Sequence, residues 1–277
     1  MKFLILFIFF MAIAQAQDFI FDKEKGRAVP TYVAQIKLMK GQIYRKVGTS
    51  REEVKLGERF KEGEAVITEE KSFVKLLMVD DSIISIGPSS EIIISKFDFK
   101  DKSDRSLIIE LVKGQITGDI KNRAKKGDLT FKTRYTTMGV RGTYFLMNQQ
   151  TLGNREVSQY AVLEGQIELQ NNLSLSEGEK IDLIFDDARP TVQNQRKLTA
   201  QEIASLNPQI DEDKDIKPFL PFLSSEELSG LTQQDGDSGQ NSSFSAQSEE
   251  KRADLKPHWK DNLKKLNEKL KQKNNTR

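Results

Sequence analysis

The sequence predicts an all-β protein, folded as a sandwich, a barrel-like fold or a roll of many short strands. A short helix and, on a disordered linker, a C-terminal amphipathic helix are expected to follow it. Between Tyr32 and Leu169, short runs rich in Val, Ile, Phe and Thr alternate with glycine and polar turns. These runs are too short for helices and are rich in β-branched residues. After Leu183 the composition changes and apolar runs become rare.

The first residues have the pattern of a secretory signal peptide. Lys2 supplies the positive end, Phe3 to Ile13 the apolar core, and Ala14-Gln15-Ala16 a cleavage site. The apolar core is short for a permanent membrane span, although an uncleaved signal anchor is the alternative. We therefore expect a signal peptide over residues 1–16, a polar lead-in over 17–31, and a periplasmic or secreted mature chain.

The β domain is predicted over residues 32–195. Its expected strands are Val33 to Leu38, Gln42 to Val47, Ser72 to Val79, Ile83 to Ile86, Ile92 to Ile94, Leu107 to Val112, Gln115 to Ile120, Leu129 to Thr133, Thr143 to Met147, Ser158 to Leu163 and Gln166 to Leu169.

One tetrapeptide occurs three times, as Lys40-Gly-Gln-Ile43, Lys113-Gly-Gln-Ile116 and Glu164-Gly-Gln-Ile167. In each copy the glycine allows a turn or bulge, and the isoleucine restarts inward alternation. The unequal spacing argues against a regular solenoid. The three copies are explained either by duplication of a segment or by independent selection of the same residues for similar hairpin turns.

A further stretch, Gly139-Val140-Arg141-Gly142-Thr143, has two glycines around a Val-Arg pair. Such glycines indicate a bulge or a close backbone approach. The Arg141 guanidinium is suited to a half-buried position, in which it donates hydrogen bonds to backbone carbonyls or to a carboxylate such as that of Glu164. A surface arginine beside a hairpin kink is the alternative.

The order of several motifs resembles the FecR domain family from about Val33 to Leu183. The motifs are Leu56-Gly57 with Gly63-Glu64, Val79-Asp80-Asp81-Ser82, Pro88 to Ile92, Leu111 to Ile116, Val140-Arg141-Gly142-Thr143 and Val162 to Ile167. The resemblance implies a structural role for Gly139, Val140, Arg141, Gly142, Thr143, Glu164 and Gly165. The chain departs from the family at Asp81, where glycine is usual, so a positive φ there would be strained.

Transducing members of that family carry a cytoplasmic segment and a transmembrane helix, and relay the state of an outer-membrane transporter to a sigma factor. This chain has a cleavable signal instead, so direct sigma-factor control is not expected. The favoured function is a non-enzymatic, exported binding or scaffold module of the cell envelope. The alternative is a periplasmic signalling component that modulates a separate membrane regulator or transporter.

Past the β domain, residues 196–223 hold a helix signal and a proline-broken apolar segment. Thr199 and Glu202 have capping-box spacing, and Asn207-Pro208 stops the helix. Residues 218–223 read Pro-Phe-Leu-Pro-Phe-Leu and suit an extended path in a groove. Residues 224–250 are rich in Ser, Gln, Gly and acidic residues, so we expect a disordered linker.

The last segment, residues 251–277, is predicted to be a basic amphipathic helix. It holds ten basic and three acidic residues, so the other 250 residues carry a net charge of −5 within the total of +2. Its apolar stripe is a candidate contact to a partner helix or to an anionic membrane, and consists of Leu255, Trp259, Leu263, Leu266 and Leu270. A solvated chain end is the alternative, and nucleic acid is not an expected partner.

Few residues suit catalysis or metal binding. The chain has no cysteine, and its one histidine, His258, lies in the basic tail. Asp211-x-Asp213-x-Asp215 begins like a calcium loop but has Ile216 where the loop needs glycine and Phe222 where it needs a carboxylate. We expect no enzyme activity, no cofactor and no bound metal, and an envelope protein or surface as the partner.

Overall fold

The computed structural model describes residues 18–121, 129–170, 173–186, 189–199 and 202, without side chains for 189–193. All of them belong to one compact unit, Met1–Leu231, and the second unit, Thr232–Arg277, lies outside the described residues. The predicted signal peptide, the calcium-like triplet, the linker and the C-terminal stripe also lie outside them. Within the described ranges, no helix is long and apolar enough to cross a membrane.

The described chain is built from strands, so the prediction of an all-β fold is confirmed. The strands are β1 Phe19–Asp22, β2 Arg27–Pro30, β3 Ala34–Lys40, β4 Ile43–Val47, β5 Ser50–Glu53, β6 Arg59–Phe60, β7 Ala65–Thr68, β8 Phe73–Met78, β9 Ile83–Ile86, β10 Glu91–Asp101, β11 Asp104–Asp119, β12 Leu129–Lys132, β13 Thr137–Val140, β14 Tyr144–Leu152, β15 Arg155–Glu164, β16 Gln166–Leu169, β17 Leu173–Ser176, β18 Glu179–Asp186 and β19 Arg189–Lys197.

Seventeen of these strands form one curled sheet, and β1 and β2 form a separate hairpin. The sheet has two layers that share β11. Layer 1 follows the order β6-β3-β8-β9-β11-β14-β15-β18-β19. Layer 2 follows the order β5-β4-β7-β10-β11-β12-β13-β16-β17. Strand β11 pairs in layer 2 up to Lys113 and in layer 1 from Gly114 onward.

The two layers enclose one hydrophobic core. Alternate side chains of each layer point into it, including Ile36, Leu76 and Ile116 from layer 1 and Ile92, Ile109 and Ile167 from layer 2. The rings of Phe131 in layer 2 and Phe145 in layer 1 meet edge to face, with centroids 4.6 Å apart. This period-2 burial is the physical reason that the short β-branched runs of the sequence become strands.

The repeated tetrapeptide marks corners at which the chain passes between layers. Gly41, Gly114 and Gly165 have φ angles of 74°, 88° and 86°, a left-handed conformation that glycine adopts without strain. The isoleucines that follow, Ile43, Ile116 and Ile167, are fully buried. The predicted role of this tetrapeptide, a turn followed by renewed inward alternation, is confirmed.

A second chain segment packs against each of these glycines. A Cβ on Gly41 would lie 2.9 Å from the Ser72 Cα, and one on Gly114 would lie 2.5 Å from the Ser90 Cα. The backbone N–H of Gln42 donates to Ser72 Oγ and that of Gln115 to Ser90 Oγ, both at 2.9 Å. The corners at Gly41 and Gly114 are therefore each a pair of crossing chains joined by a serine hydroxyl.

Several elements differ from the sequence prediction. The polar lead-in contains the β1–β2 hairpin, which Arg27 attaches to β10 through the Asp98 carboxylate and the Phe99 carbonyl. Two predicted strands merge into β11, because the chain bends at Gly114 without leaving the ladder. The polar sequence of β19 is a strand because it extends the edge at β18.

Candidate functional site

The family-like motif forms a fourth corner between the two layers. Strand β13 ends at Val140 in layer 2, Arg141 and Gly142 turn, and β14 begins in layer 1. Gly142 has a φ of 65°, as the left-handed turn requires. Val140 is buried and pairs with Ile167 across the strands, so it holds the turn against the core.

Gly165 lies opposite this turn. A Cβ at Gly165 would come within 2.8 Å of the Gly142 carbonyl oxygen. The Thr143 hydroxyl donates to the carbonyl of Gln166 at 2.8 Å, and the Ile120 N–H donates to the carbonyl of Thr143 at 3.0 Å. Gly142, Thr143 and Gly165 thus position the crossing chains.

Arg141 does not have the half-buried role that we predicted for it. Its side chain is exposed and makes no hydrogen bond or ion pair within the described ranges. The predicted partner Glu164 is also exposed, at the end of β15. The prediction is wrong because the close approach is made by the glycines and Thr143, which leaves the Arg141 side chain outside the packed corner.

Exposed polar residues surround Arg141 on the outer surface of layer 2. One cross-strand row runs Thr130, Gly139, Glu168, Ser174, and the next places Gln166 beside Ser176. We name the set Thr130, Gly139, Arg141, Gln166, Glu168 and Ser174 the motif face. Apart from Thr130, which is half-buried, all of its members are exposed.

Gly139 has no side chain, so the motif face is flat at this position. Its backbone is not left-handed, and a Cβ would meet nothing closer than the Glu168 carbonyl oxygen, at 3.9 Å. The described packing therefore does not require glycine at this position. A glycine inside a strand that needs none is typical of a place where a ligand or another backbone approaches closely.

The motif face suits reversible polar binding. Arg141 presents a planar guanidinium, which pairs with carboxylates or with phosphates in a forked geometry. In layer 1, at the start of β14, burial raises the pKa of Tyr144 to about 12, and the Asp119 carboxylate acts in the same direction.

This order of strands, with Val140-Arg141-Gly142-Thr143 at a glycine-lined corner, agrees with a match to the FecR protein family over residues 64–168. Residues 64–168 of the chain are therefore similar to a FecR domain. The matched stretch is shorter than the resemblance seen in the sequence, and it begins just before β7 and ends in β16.

Two crystal structures of a candidate anti-sigma factor from Parabacteroides distasonis ATCC 8503 are similar to the chain. Each has 13% sequence identity and a TM-score of 0.41, and the likeness covers 51% of this chain. The chain spans about three fifths of that protein, 63% and 62% in the two structures. No curated protein matches the chain significantly.

A groove lies elsewhere on the outer surface of layer 2. It has a volume of about 560 Å³ and is lined by both signs of charge, including Lys46, Arg51, Glu69, Glu91 and Lys113. Lys46 pairs with Glu91 at 3.1 Å, and Arg51 pairs with Glu69 and covers the ring of Tyr44. Most of these charged side chains therefore form ion pairs with one another in the wall of the groove.

Sequence reasoning missed two buried ionic groups. Arg105 Nε lies 2.5 Å from Asp80 Oδ2, and both side chains are nearly inaccessible. On layer 1, Lys180 Nζ lies 3.3 Å from Asp182 and 3.5 Å from Glu202. The Asp80-Asp81-Ser82 turn and the Thr199–Glu202 spacing were visible signals, but neither reveals a partner that is distant in sequence.

Proposed function

We propose that this FecR-like protein is an exported, non-enzymatic binding or scaffold module of the cell envelope, and that the motif face contacts its partner. The observation that carries the proposal is the exposed Arg141 beside Gly139 at the family motif. Arg141 has no hydrogen-bond or ion-pair partner among the residues that the structure describes. A fold that needed Arg141 for stability would bury or pair its charge. An exposed arginine next to a strand glycine favours recognition.

Export is supported by the residues before the described range. Lys2, Phe3 to Ile13 and Ala14-x-Ala16 have the order of a cleavable signal. Amino-terminal sequencing of the fractionated protein should give Gln17 as the first residue. Retention of Met1 on a cytoplasmic species would contradict export.

Partner contact is best tested in intact cells with a photo-crosslinking residue at Gln166, which keeps Arg141 in place. The matched control carries the same residue at Lys37, which is exposed on layer 1. We expect a product from position 166 that is absent from position 37. Arg141→Glu should remove this product, Arg141→Lys should retain part of it, and neither should change the melting curve.

The proposed contact is excluded if positions 166 and 37 give the same products, or if the product persists in Arg141→Glu. A product that contains a membrane regulator or transporter would favour the second candidate, a periplasmic signalling component. The family match favours that candidate, because transducing members of the FecR family relay a transporter's state. A wall or scaffold protein as the partner would favour the binding module.

A further inference from the structure

Strand β1 of the hairpin exposes three consecutive large apolar side chains. Phe19, Ile20 and Phe21 are 49%, 52% and 68% exposed. The other large apolar side chains that are exposed in the described ranges lie singly along the chain, and they are Val47, Leu56 and Val112. A single exposed apolar residue is ordinary, but a contiguous group of them is typical of an interaction site.

Strand β1 also has a free edge. Among the described strands it pairs only with β2, and Phe19 lies opposite Pro30. The Thr31 N–H donates to the Asp18 carbonyl at 2.9 Å, so these two residues form a hydrogen-bonded pair of the ladder. Because hydrogen-bonded and non-hydrogen-bonded pairs alternate in an antiparallel ladder, the N–H and C=O groups of Phe19 and Phe21 point away from β2.

Three other strand edges have features that prevent pairing with another chain. On the outer edge of β2, Pro30 has no N–H to donate. Strand β5 consists of exposed polar residues, three of which are charged, and β19 is polar and contains Pro190. Charge and proline are the usual means of protecting an edge strand. Between Phe19 and Phe21, β1 has neither.

The hairpin is fixed to the body of the domain, so its edge is held in place before any partner binds. The Arg27 guanidinium lies 2.6 Å from the Asp98 carboxylate, and the Lys25 ammonium lies 3.0 Å from the same group. Arg27 also donates to the Phe99 carbonyl. An edge that is already ordered loses less conformational entropy when it binds.

A second copy of β1 fits this edge poorly. In a regular antiparallel ladder, residues whose backbone groups point outward must lie opposite each other. The register that uses both phenylalanines places Ile20 opposite Ile20 and, at both ends, Asp18 opposite Asp22. Like charges directly opposite each other are destabilising. Asp18 is 48% exposed although it pairs with Arg59 at 2.7 Å, so a basic residue suits this position better.

We propose that the free edge of β1 binds an extended segment of a partner protein, which adds a strand to the hairpin. The segment is apolar at alternate positions and has a lysine or arginine at each end. Its backbone pairs with Phe19 and Phe21, and its side chains pack on their rings and on Ile20. Strand β1 has four residues, about 14 Å at the usual rise, so the binding is reversible. This surface shares no residue with the motif face.

The test uses the protein as purified from cells and a labelled peptide, Lys-Val-Thr-Val-Thr-Val-Lys. One control peptide carries methyl groups on the backbone nitrogens of its five central residues, which removes the donors of a ladder. A second has glutamate in place of both lysines. Phe21→Pro removes an outward N–H that β2 does not use, and proline is tolerated at such edge positions. The matched control is Leu56→Ser, at an isolated exposed site.

We expect the parent protein to bind the lysine peptide, and Phe21→Pro and the methylated peptide each to weaken binding about tenfold or more, since each removes ladder hydrogen bonds. The glutamate peptide should also bind more weakly, and Leu56→Ser should match the parent. Hydrogen exchange at the Phe21 amide should be fast in the free protein and slow with the lysine peptide. This measurement on the parent serves as the test if Phe21→Pro fails to fold.

The proposal is overturned if the parent does not bind at about 1 mM peptide, if the methylated peptide binds equally well, or if the Phe21 amide is not slowed. A Phe21 amide that is already protected in the free protein would show that the chain covers its own edge. Protection that appears only as the protein concentration rises would identify a second copy as the occupant. Both of these outcomes would also overturn the proposal.

Discussion

At the scale of single residues, the corners show why glycine is required at some positions and not at others. Gly114 combines a left-handed backbone with the Ser90 backbone directly above it. Gly48 is also left-handed, but open space surrounds the position of its Cβ. Substitutions at these two glycines can therefore be compared to separate the cost of a left-handed backbone from the cost of close contact with a second chain segment.

We expect Gly114→Ala to lower the free energy of unfolding by about 3 kcal/mol, since strain and overpacking add. Gly48→Ala should cost only about 1 kcal/mol, the strain alone. Urea denaturation of both variants measures the difference. Equal losses would show that the crossing chain at Ser90 moves aside without cost.

Two arginines illustrate opposite uses of the same side chain. Arg105 is buried against Asp80 and also donates to the Lys102 carbonyl, whereas Arg141 is exposed. Arg105→Ala leaves a buried carboxylate without its charge partner and should cost about 3–5 kcal/mol. Arg141→Ala should stay within about 0.5 kcal/mol of the parent protein. Thermal melting of both variants measures these losses of stability. A larger loss in Arg141→Ala than in Arg105→Ala would show that Arg141 has a structural role after all.

The sequence indicated the importance of the Gly139–Thr143 motif but assigned the wrong role to Arg141. Spacing alone does not show which of two neighbouring residues faces a crossing chain. The expectation for Asp81, in contrast, agrees with the structure. Asp81 has a φ of 68° where the family has glycine, so the strain that its position implied is present.

At the scale of elements, the segment after β19 depends on ionic contacts that respond to acid. The hydrogen bond from Arg196 holds the pKa of Glu202 at about 2, with further help from Thr199 and Lys180 and with burial acting in the opposite direction. Because this pKa lies below the usual 4.5, the stabilisation is complete above that value. It is lost as the pH falls toward 2.

We therefore expect Glu202→Gln to be less stable than the parent protein at pH 7, by about 1 kcal/mol for a partly exposed charged group. The difference should shrink between pH 5 and pH 2. Denaturation curves at several pH values test this expectation, and Glu177→Gln, at an exposed turn, should match the parent throughout. A constant gap at every pH would mean that the carboxylate charge contributes nothing.

The elements that could be predicted from the sequence are those with a strong inward alternation. Strand β9 was predicted with its observed bounds, Ile83–Ile86, because three of its four residues are isoleucines, which favour strands. Strands β17 and β19 were not predicted as strands. Ser174, Ser176 and the polar residues of β19 have weak strand propensity, and they form strands because neighbouring edges offer hydrogen bonds.

At the scale of the whole molecule, the layered architecture depends on pairings that no local pattern reveals. The repeats of the tetrapeptide Lys40 to Ile43 indicated turns, but only the structure shows that distant serines cross the turns at Gly41 and Gly114. The general class, all-β with many short strands, followed from composition and run length alone. Neither the composition nor the run length predicted the register that brings β11 into both layers.

The charge distribution gives a last expectation for the whole molecule. Residues 251–277 carry a surplus of seven positive charges, and the predicted stripe of Leu255, Trp259, Leu263, Leu266 and Leu270 is narrow. Such a helix alone is a weak membrane anchor, but lysine attraction to anionic lipid adds to it. We expect a peripheral attachment to the envelope that weakens as salt is raised, because screening shortens the range of these attractions.

Truncation after Glu250 should abolish this attachment and leave the melting curve of the β domain unchanged, since the described core lies wholly within Met1–Leu231. Sedimentation of both forms with anionic vesicles and with isolated envelope, at low and high salt, measures it. Neutral vesicles provide the control for charge. If the full-length and truncated forms sediment equally, and salt has no effect on either, the basic segment has no attaching role. Attachment to isolated envelope without attachment to anionic vesicles would instead assign the stripe to a protein partner, most simply a second amphipathic helix that buries the same leucines.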